Sequence, residues 1–198
     1  MASLGKSFLT LAMASGIWLS IQGTAMAVEC SDKLAIGWPG RIITNPPTQD
    51  RQAIMDLIHN YYWTLDDKDT MGADSFSEIL TDDFVYVVCR AGGQVELVAI
   101  KDAATLINRT KETFAKLNES GLRTRHIVSD EILNVVKDGT VEGKFILLAT
   151  IQRAAASDVP DLDYTASVKV KFRKDGEAWK FAAMTLITDT PTVEERAR

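Results

Sequence analysis

Residues 164–188 read YTASVKVKFRKDGEAWKFAAMTLIT. Ala166, Val168, Val170 and Phe172 alternate with polar or charged neighbours, which is the period of a strand with one buried face. Asp175-Gly176 supplies a tight hairpin turn, and Trp179 to Thr188 is a second strand. Working backwards, Val141 to Arg153 is a third strand, joined through Asp138-Gly139 to a long fourth one, Arg123 to Val136. The Ala154–Leu162 stretch between them and Tyr164, with Pro160, reads as a loop.

Upstream the period changes. Ile54, Leu57, Ile58, Tyr61 and Leu65 recur at helical spacing, so one stripe of that helix faces a core. Thr48 or Asp50 is available to cap it after Pro46-Pro47, and it ends at Asp66-Asp67-Lys68-Asp69. A short helix is expected from about Gly72 to Leu80. Phe84 to Arg90 and Gln94 to Val98 read as a strand pair turning at Gly92-Gly93. Lys101 to Asn118 is helical, with Ala104, Ile107, Phe114 and Leu117 expected inward. Helices early and a meander late indicate an α+β fold: a curved antiparallel sheet wrapped around N-terminal helices, with a pocket between them.

The N-terminus has the three-part plan of a secretory signal peptide over residues 1–27. Lys6 is the positive end, Phe8 to Ile21 the apolar stretch, and Ala25-Met26-Ala27 the cleavage site before Val28. The apolar run falls short of the ~20 residues that span a bilayer, so no stable membrane anchor is expected. Removal leaves about 170 residues, enough for one domain with its own core. Residues 28–47, broken by Gly and Pro, form an extension; 48–190 form the domain; 191–198 are a charged tail. The expected location is secreted or periplasmic.

The chain carries 22 Lys and Arg against 27 Asp and Glu, a formal charge of −5, with no basic patch, which argues against nucleic acid as a partner. The two cysteines, Cys30 and Cys89, can pair in an oxidising compartment; the alternative is a buried Cys89 and a free Cys30. Two histidines and two cysteines make no zinc spacing, and there is neither a phosphate loop nor a nucleophile elbow. No cofactor and no metal are expected. Asp158, Asp161 and Asp163 cluster near Pro160 without the spacing of a calcium loop.

Five stretches in order, Asp50–Ile54, Tyr61 with Asp66 to Asp69, Leu80–Phe84, Thr124–Asp130 and Asp175–Phe181, make residues 48–190 resemble the SnoaL-like branch of the nuclear transport factor 2-like superfamily. The resemblance implies a cone-shaped fold with a deep apolar pocket for a small apolar ligand, and a homodimer through the sheet. Dehydratases similar to scytalone dehydratase and bile acid dehydratase use an Asp–His pair helped by a Tyr. Carried over, Asp66 is the helix-end aspartate, His126 the strand histidine, and Tyr61, five residues before Asp66, the tyrosine of the bile acid type. The scytalone type has its tyrosine directly before the aspartate, where this chain has Leu65, and a second strand histidine, whereas no histidine follows His126 here. Asp130 stands where many relatives carry Asn. The implied activity is a cofactor-independent dehydratase or isomerase acting by general acid/base catalysis on a small apolar carbonyl compound. The alternative is a non-catalytic ligand-binding or protein-interaction domain of the same fold. For single residues, simpler roles stand beside these: Asp66 as a loop cap, His126 as a satisfied strand histidine, Tyr61 as core, and His59 as solvated.

Overall fold

A computed structural model describes residue 30 and residues 43–90, 95–136, 138–153 and 159–189. The expected signal segment 1–27, most of the expected 28–47 extension, the turn expected at Gly92-Gly93, Asp158 and the tail 191–198 lie outside the described residues. The elements run α1 (Thr48–Asp67), α2 (Thr70–Asp74), α3 (Phe76–Ile79), β1 (Leu80–Arg90), β2 (Val95–Ile100), α4 (Ala103–Glu119), β3 (Leu122–Val135), β4 (Val141–Arg153), β5 (Asp161–Asp175) and β6 (Ala178–Thr188).

One six-stranded sheet carries the fold, in the order β2-β1-β6-β5-β4-β3. The β3–β6 meander and the β1–β2 pair are antiparallel, as expected. One contact in this curved sheet is parallel: β1 docks on β6, Tyr86 opposite Met184 and Cys89 opposite Ile187. A parallel neighbour needs a long crossover, and the α4–β5 stretch supplies it. All four antiparallel ladders shift register, between Val88/Cys89, Ser129/Ile132, Ala149/Thr150 and Lys171/Phe172. Such bulges bend strands, and here they curve the sheet around the helices. Asp130, inside the β3 bulge, has φ 59°, a left-handed conformation that Asp and Asn tolerate better than most residues.

The concave face is the core. Phe145 and Leu147 of β4, Val168 and Phe172 of β5, and Phe181 and Met184 of β6 pack against Ile54, Ile58, Tyr61 and Tyr62 of α1. The buried stripe of α1 is Ile54, Ile58, Tyr61, Tyr62 and Asp66, with Leu57 and Leu65 packed only partly against the core. That slight rotation from the expected stripe carries Asp66 inward. Two helix details differ from expectation. Neither Thr48 nor Asp50 caps α1; Pro47 stands at its N-cap without a side-chain bond, and Asp50 instead accepts hydrogen bonds from Trp179 Nε1 (2.8 Å) and Lys174 Nζ (3.1 Å). The expected Gly72–Leu80 helix is two short helices meeting at Ser75. In α4 the inward residues are Ala103, Leu106, Thr110 and Phe114, and Ala104 is exposed. Asp102 caps the helix, accepting from Thr105 N–H at 2.7 Å, so that it starts two residues later than expected.

On the opposite face of β1 and β6, Val87, Cys89 and Ile187 form a small second cluster with Val85 and Cys30. Cys30 and Cys89 are disulfide-bonded, with Cα atoms 5.5 Å apart. Further along, Val135 N–H donates to Thr44 O at 2.8 Å, so the extension covers one end of the β3 edge.

Candidate active site

β3 is an edge strand, so half of its backbone N–H groups have no neighbouring strand. One of these is His126 N–H, and the end of α1 meets it. Asp66 Oδ2 accepts from His126 N–H at 2.9 Å, while Asp66 Oδ1 lies 2.7 Å from His126 Nδ1. One carboxylate thus holds both the backbone and the ring of the same histidine. Its side chain is 4% exposed and the ring 10%.

This geometry fixes protons. A carboxylate only accepts, so Nδ1 carries the hydrogen and, in the neutral ring, Nε2 presents its lone pair as an acceptor. Burial pushes the Asp66 pKa up, but the bonds from the His126 ring and backbone, together with the imidazole charge, outweigh it and hold the carboxyl below its ordinary range. Asp66 is therefore an anion at neutral pH.

Nε2 points toward a set of tyrosines. Tyr164 Oη lies 3.4 Å from it, and the Tyr62 ring centroid is 5.4 Å from the His126 ring. Register explains the Tyr164 contact: His126 pairs with Ala149, and Ala149 pairs with Tyr164. The three residues form one row across β3, β4 and β5, and the small Ala149 lets the tyrosine reach over it. Burial pushes the Tyr164 hydroxyl well above its ordinary pKa, so it stays a neutral donor. Tyr86 is pushed up to about 12 by the same cause.

Of the residues expected from sequence, Asp66 and His126 are brought together. Tyr61 lies one ring further in: it stacks on Phe76 (4.9 Å between centroids) and meets Tyr62 edge-on at 5.1 Å. Burial raises its pKa well above the ordinary value, so it too stays a neutral phenol. All four tyrosines of the chain thus share one core, in which Tyr62 and Tyr164 border His126. Tyr164, the one whose hydroxyl reaches the imidazole, was not singled out from sequence; its place in the inward row with Ala166 and Val168 was the available signal. His59 is half exposed, 3.6 Å from Glu131, and away from the pair. Among the described residues, no cluster of His, Cys, Asp and Glu is placed to hold a metal, and no helix is long and apolar enough to cross a membrane.

A buried carboxylate, an imidazole with a free nitrogen and neutral phenols suit proton abstraction and return, the chemistry of a general base with hydrogen-bond donors at hand.

Comparison with known proteins places this geometry in a family. A model of the SnoaL-like domain matches residues 46–185. No curated protein matches the sequence. Among solved structures the chain is similar to a nuclear transport factor 2-like protein with a cystatin-like fold from Novosphingobium aromaticivorans. Their TM-score is 0.56 at 20% identity, covering 75% of this chain and 88% of that one. It is also similar to the beta subunit of the benzoate 1,2-dioxygenase from Burkholderia mallei (TM-score 0.59, 13% identity, 77% and 99% covered). A scytalone dehydratase-like protein from N. aromaticivorans is a third (TM-score 0.53, 15% identity, 72% and 85% covered). At these identities the likeness is one of fold. With the family model spanning most of the chain, the protein belongs to the SnoaL-like domain family.

Proposed function

We propose that the protein is an exported, cofactor-independent lyase or isomerase that acts by general acid/base catalysis on a small apolar carbonyl compound. The observation that carries this reading is the 2.7 Å bond between Asp66 Oδ1 and His126 Nδ1, which leaves Nε2 as the unprotonated ring nitrogen, turned toward Tyr164. Nε2 takes a proton from the carbon beside the carbonyl, and the electron pair moves onto the carbonyl oxygen. A tyrosine hydroxyl, Tyr61 or Tyr164, donates a hydrogen bond to that oxygen as it gains charge. Asp66 stabilises the imidazolium. The imidazolium then returns its proton, either to a departing β-hydroxyl, which leaves as water, or to another carbon, which gives an isomer.

Export is supported by the N-terminal segment and by the Cys30–Cys89 bond, a linkage that persists in oxidising compartments. The intact mass of the exported protein tests it, with cleavage between Ala27 and Val28 expected.

Native mass spectrometry of the purified protein, searched for a retained small molecule, tests the function. Turnover of that molecule by the parent and its binding without turnover by His126→Ala support the enzyme. Binding without turnover by both assigns the protein to the alternative, a non-catalytic ligand-binding or interaction domain. One feature favours a binding role for the outer face: Ile127 is 56% exposed, and Ile132 and Ile146 are exposed beside it on β3 and β4. We assign that face to a homodimer contact through the sheet, which sedimentation velocity checks.

A further inference from the structure

Asp66 lies where an anion is least welcome. It is buried, and it sits in the last turn of α1, where the free carbonyls give the helix a negative end. The last turn of α1 contains no basic residue. The residue just beyond the helix supplies one. Lys68 is the C-cap, with φ 51° and ψ 32°, and its N–H donates to Thr64 O at 3.2 Å. Left-handed backbone at this position is usually given to Gly or Asn, because a Cβ is strained there. Lys68 adopts it with its side chain folded inward: the whole residue is only 6% exposed, and Nζ donates to Asp66 O at 3.0 Å. Asn118 Nδ2 of α4 donates to Lys68 O at 3.1 Å and locks the turn.

A lysine with a long flexible stem is seldom buried, and a chain reversal alone does not require one. We propose that Lys68 is a positioning residue of the Asp66–His126 pair: its ammonium closes the negative end of α1 and holds Asp66 as a carboxylate, so that the imidazole keeps its hydrogen on Nδ1. The groups facing Lys68 are Asp66 and Asp67 on α1, and Arg123 and Arg125 on β3. With Asn118, Gly121 and Leu122, these residues line a cavity of about 330 Å³. The groups facing His126 are Asp66, Tyr62 and Tyr164. Among these charges, Lys68 is the buried cation bonded to the end of the helix that carries Asp66.

The proposal rests on the reading of Asp66 and His126 as the base pair, but its test needs no substrate. The sign is worked from charge. Removing the ammonium makes the Asp66 anion less stable and the His126 cation more stable, so both groups hold their protons to higher pH. In a His59→Gln background, which leaves His126 as the single histidine, the ring is titrated by NMR in the full chain. For Lys68→Met the His126 midpoint is expected to rise by about 0.5 to 1 pH unit at moderate salt. Lys68→Gly, which relieves the backbone strain and also lacks the ammonium, is expected to show the same rise. Lys68→Arg, which keeps the charge, should stay with the parent. A folded Lys68→Met or Lys68→Gly protein with an unmoved midpoint overturns the proposal, as does Lys68→Arg moving as far as Lys68→Met. Since the readout is the ring's titration, failure of the enzyme reading in the His126→Ala assay leaves this result separately interpretable.

Discussion

Asp66→Asn preserves shape and tests the logic of the site most directly. The carboxylate accepts two hydrogen bonds, from His126 N–H at 2.9 Å and from His126 Nδ1 at 2.7 Å. An amide has one accepting and one donating end. The backbone N–H cannot change role, so the amide oxygen must face it and the NH2 must face Nδ1. Nδ1 then becomes the acceptor, and the ring proton moves to Nε2. Nε2 is converted from an acceptor to a donor at neutral pH, and under the proposed function kcat is expected to fall about 10²- to 10⁴-fold. Two charge-assisted bonds become neutral ones, each weaker by about 1 kcal/mol, so the fold loses about 2 kcal/mol. For a domain of this size that lowers Tm by about 4–8 °C. The Asp66 pKa is depressed in the fold. Its stabilisation is therefore present above the unfolded carboxylate pKa of about 3.9 and is lost as pH falls through the folded value. The Tm gap between parent and variant should accordingly be full at pH 7 and narrow on acidification below about pH 4. Nitrogen-15 shifts of the His126 ring, in the His59→Gln background, report the tautomer. A variant whose Nε2 remains unprotonated, or a Tm gap that is the same at pH 7 and in strong acid, would refute the reasoning.

Three further substitutions have defined outcomes. Tyr164→Phe removes the hydroxyl 3.4 Å from Nε2; kcat on the retained ligand should fall by roughly tenfold or more while denaturant stability changes by about 1 kcal/mol or less, and full activity would make Tyr164 a bystander. Cys30→Ser opens a link between positions 59 residues apart; loop-closure entropy puts the cost at about 4 kcal/mol, so Tm should drop markedly and reductant should bring the parent down to the variant, whereas equal Tm values in oxidising buffer would contradict it. Gly143→Ala places a Cβ 2.8 Å from both Leu133 Cδ2 and Val170 Cγ2; overpacking of this kind costs about 1–3 kcal/mol, measurable by urea denaturation, and an unchanged midpoint would show that β4 yields easily.

The periodic elements were legible because their signals are local. The α1 stripe, the alternation of β5 and the turns at Asp138-Gly139 and Asp175-Gly176 depend on neighbours a few residues away, and both turn glycines have positive φ. The parallel β1–β6 contact was not legible, since it joins residues about a hundred positions apart through pairing that no local pattern encodes. Asp66 and His126 came from a position-by-position resemblance; periodicity alone would have left Asp66 as the end of a helix. Tyr164 was missed for a physical reason. Its nearness to His126 depends on two strand registers and on a small residue at Ala149, and the register of β4 with β5 slips between Ala149 and Thr150. A shift of one residue would turn Tyr164 to the outer face.

The same register argument explains why this site sits where it does. An edge strand presents N–H groups that must be satisfied by something other than a sheet neighbour. Along β3 two of these groups have different solutions: Val135 N–H is taken by Thr44 O, and His126 N–H by the Asp66 carboxylate. In the second case the partner is a side chain, and its other oxygen holds the imidazole of the same residue. The orientation of the ring is therefore set by backbone geometry on both sides: the end of α1 on one and the edge of the sheet on the other. Asp66 is twelve residues past Ile54 on the α1 stripe, so inserting one residue between them would swing its carboxylate by about 100° around the helix and break both bonds at once. The length of α1, the left-handed turn at Lys68 and the edge position of β3 are thus parts of one device, in which an exposed strand edge is turned into the anchor of the Asp66–His126 pair.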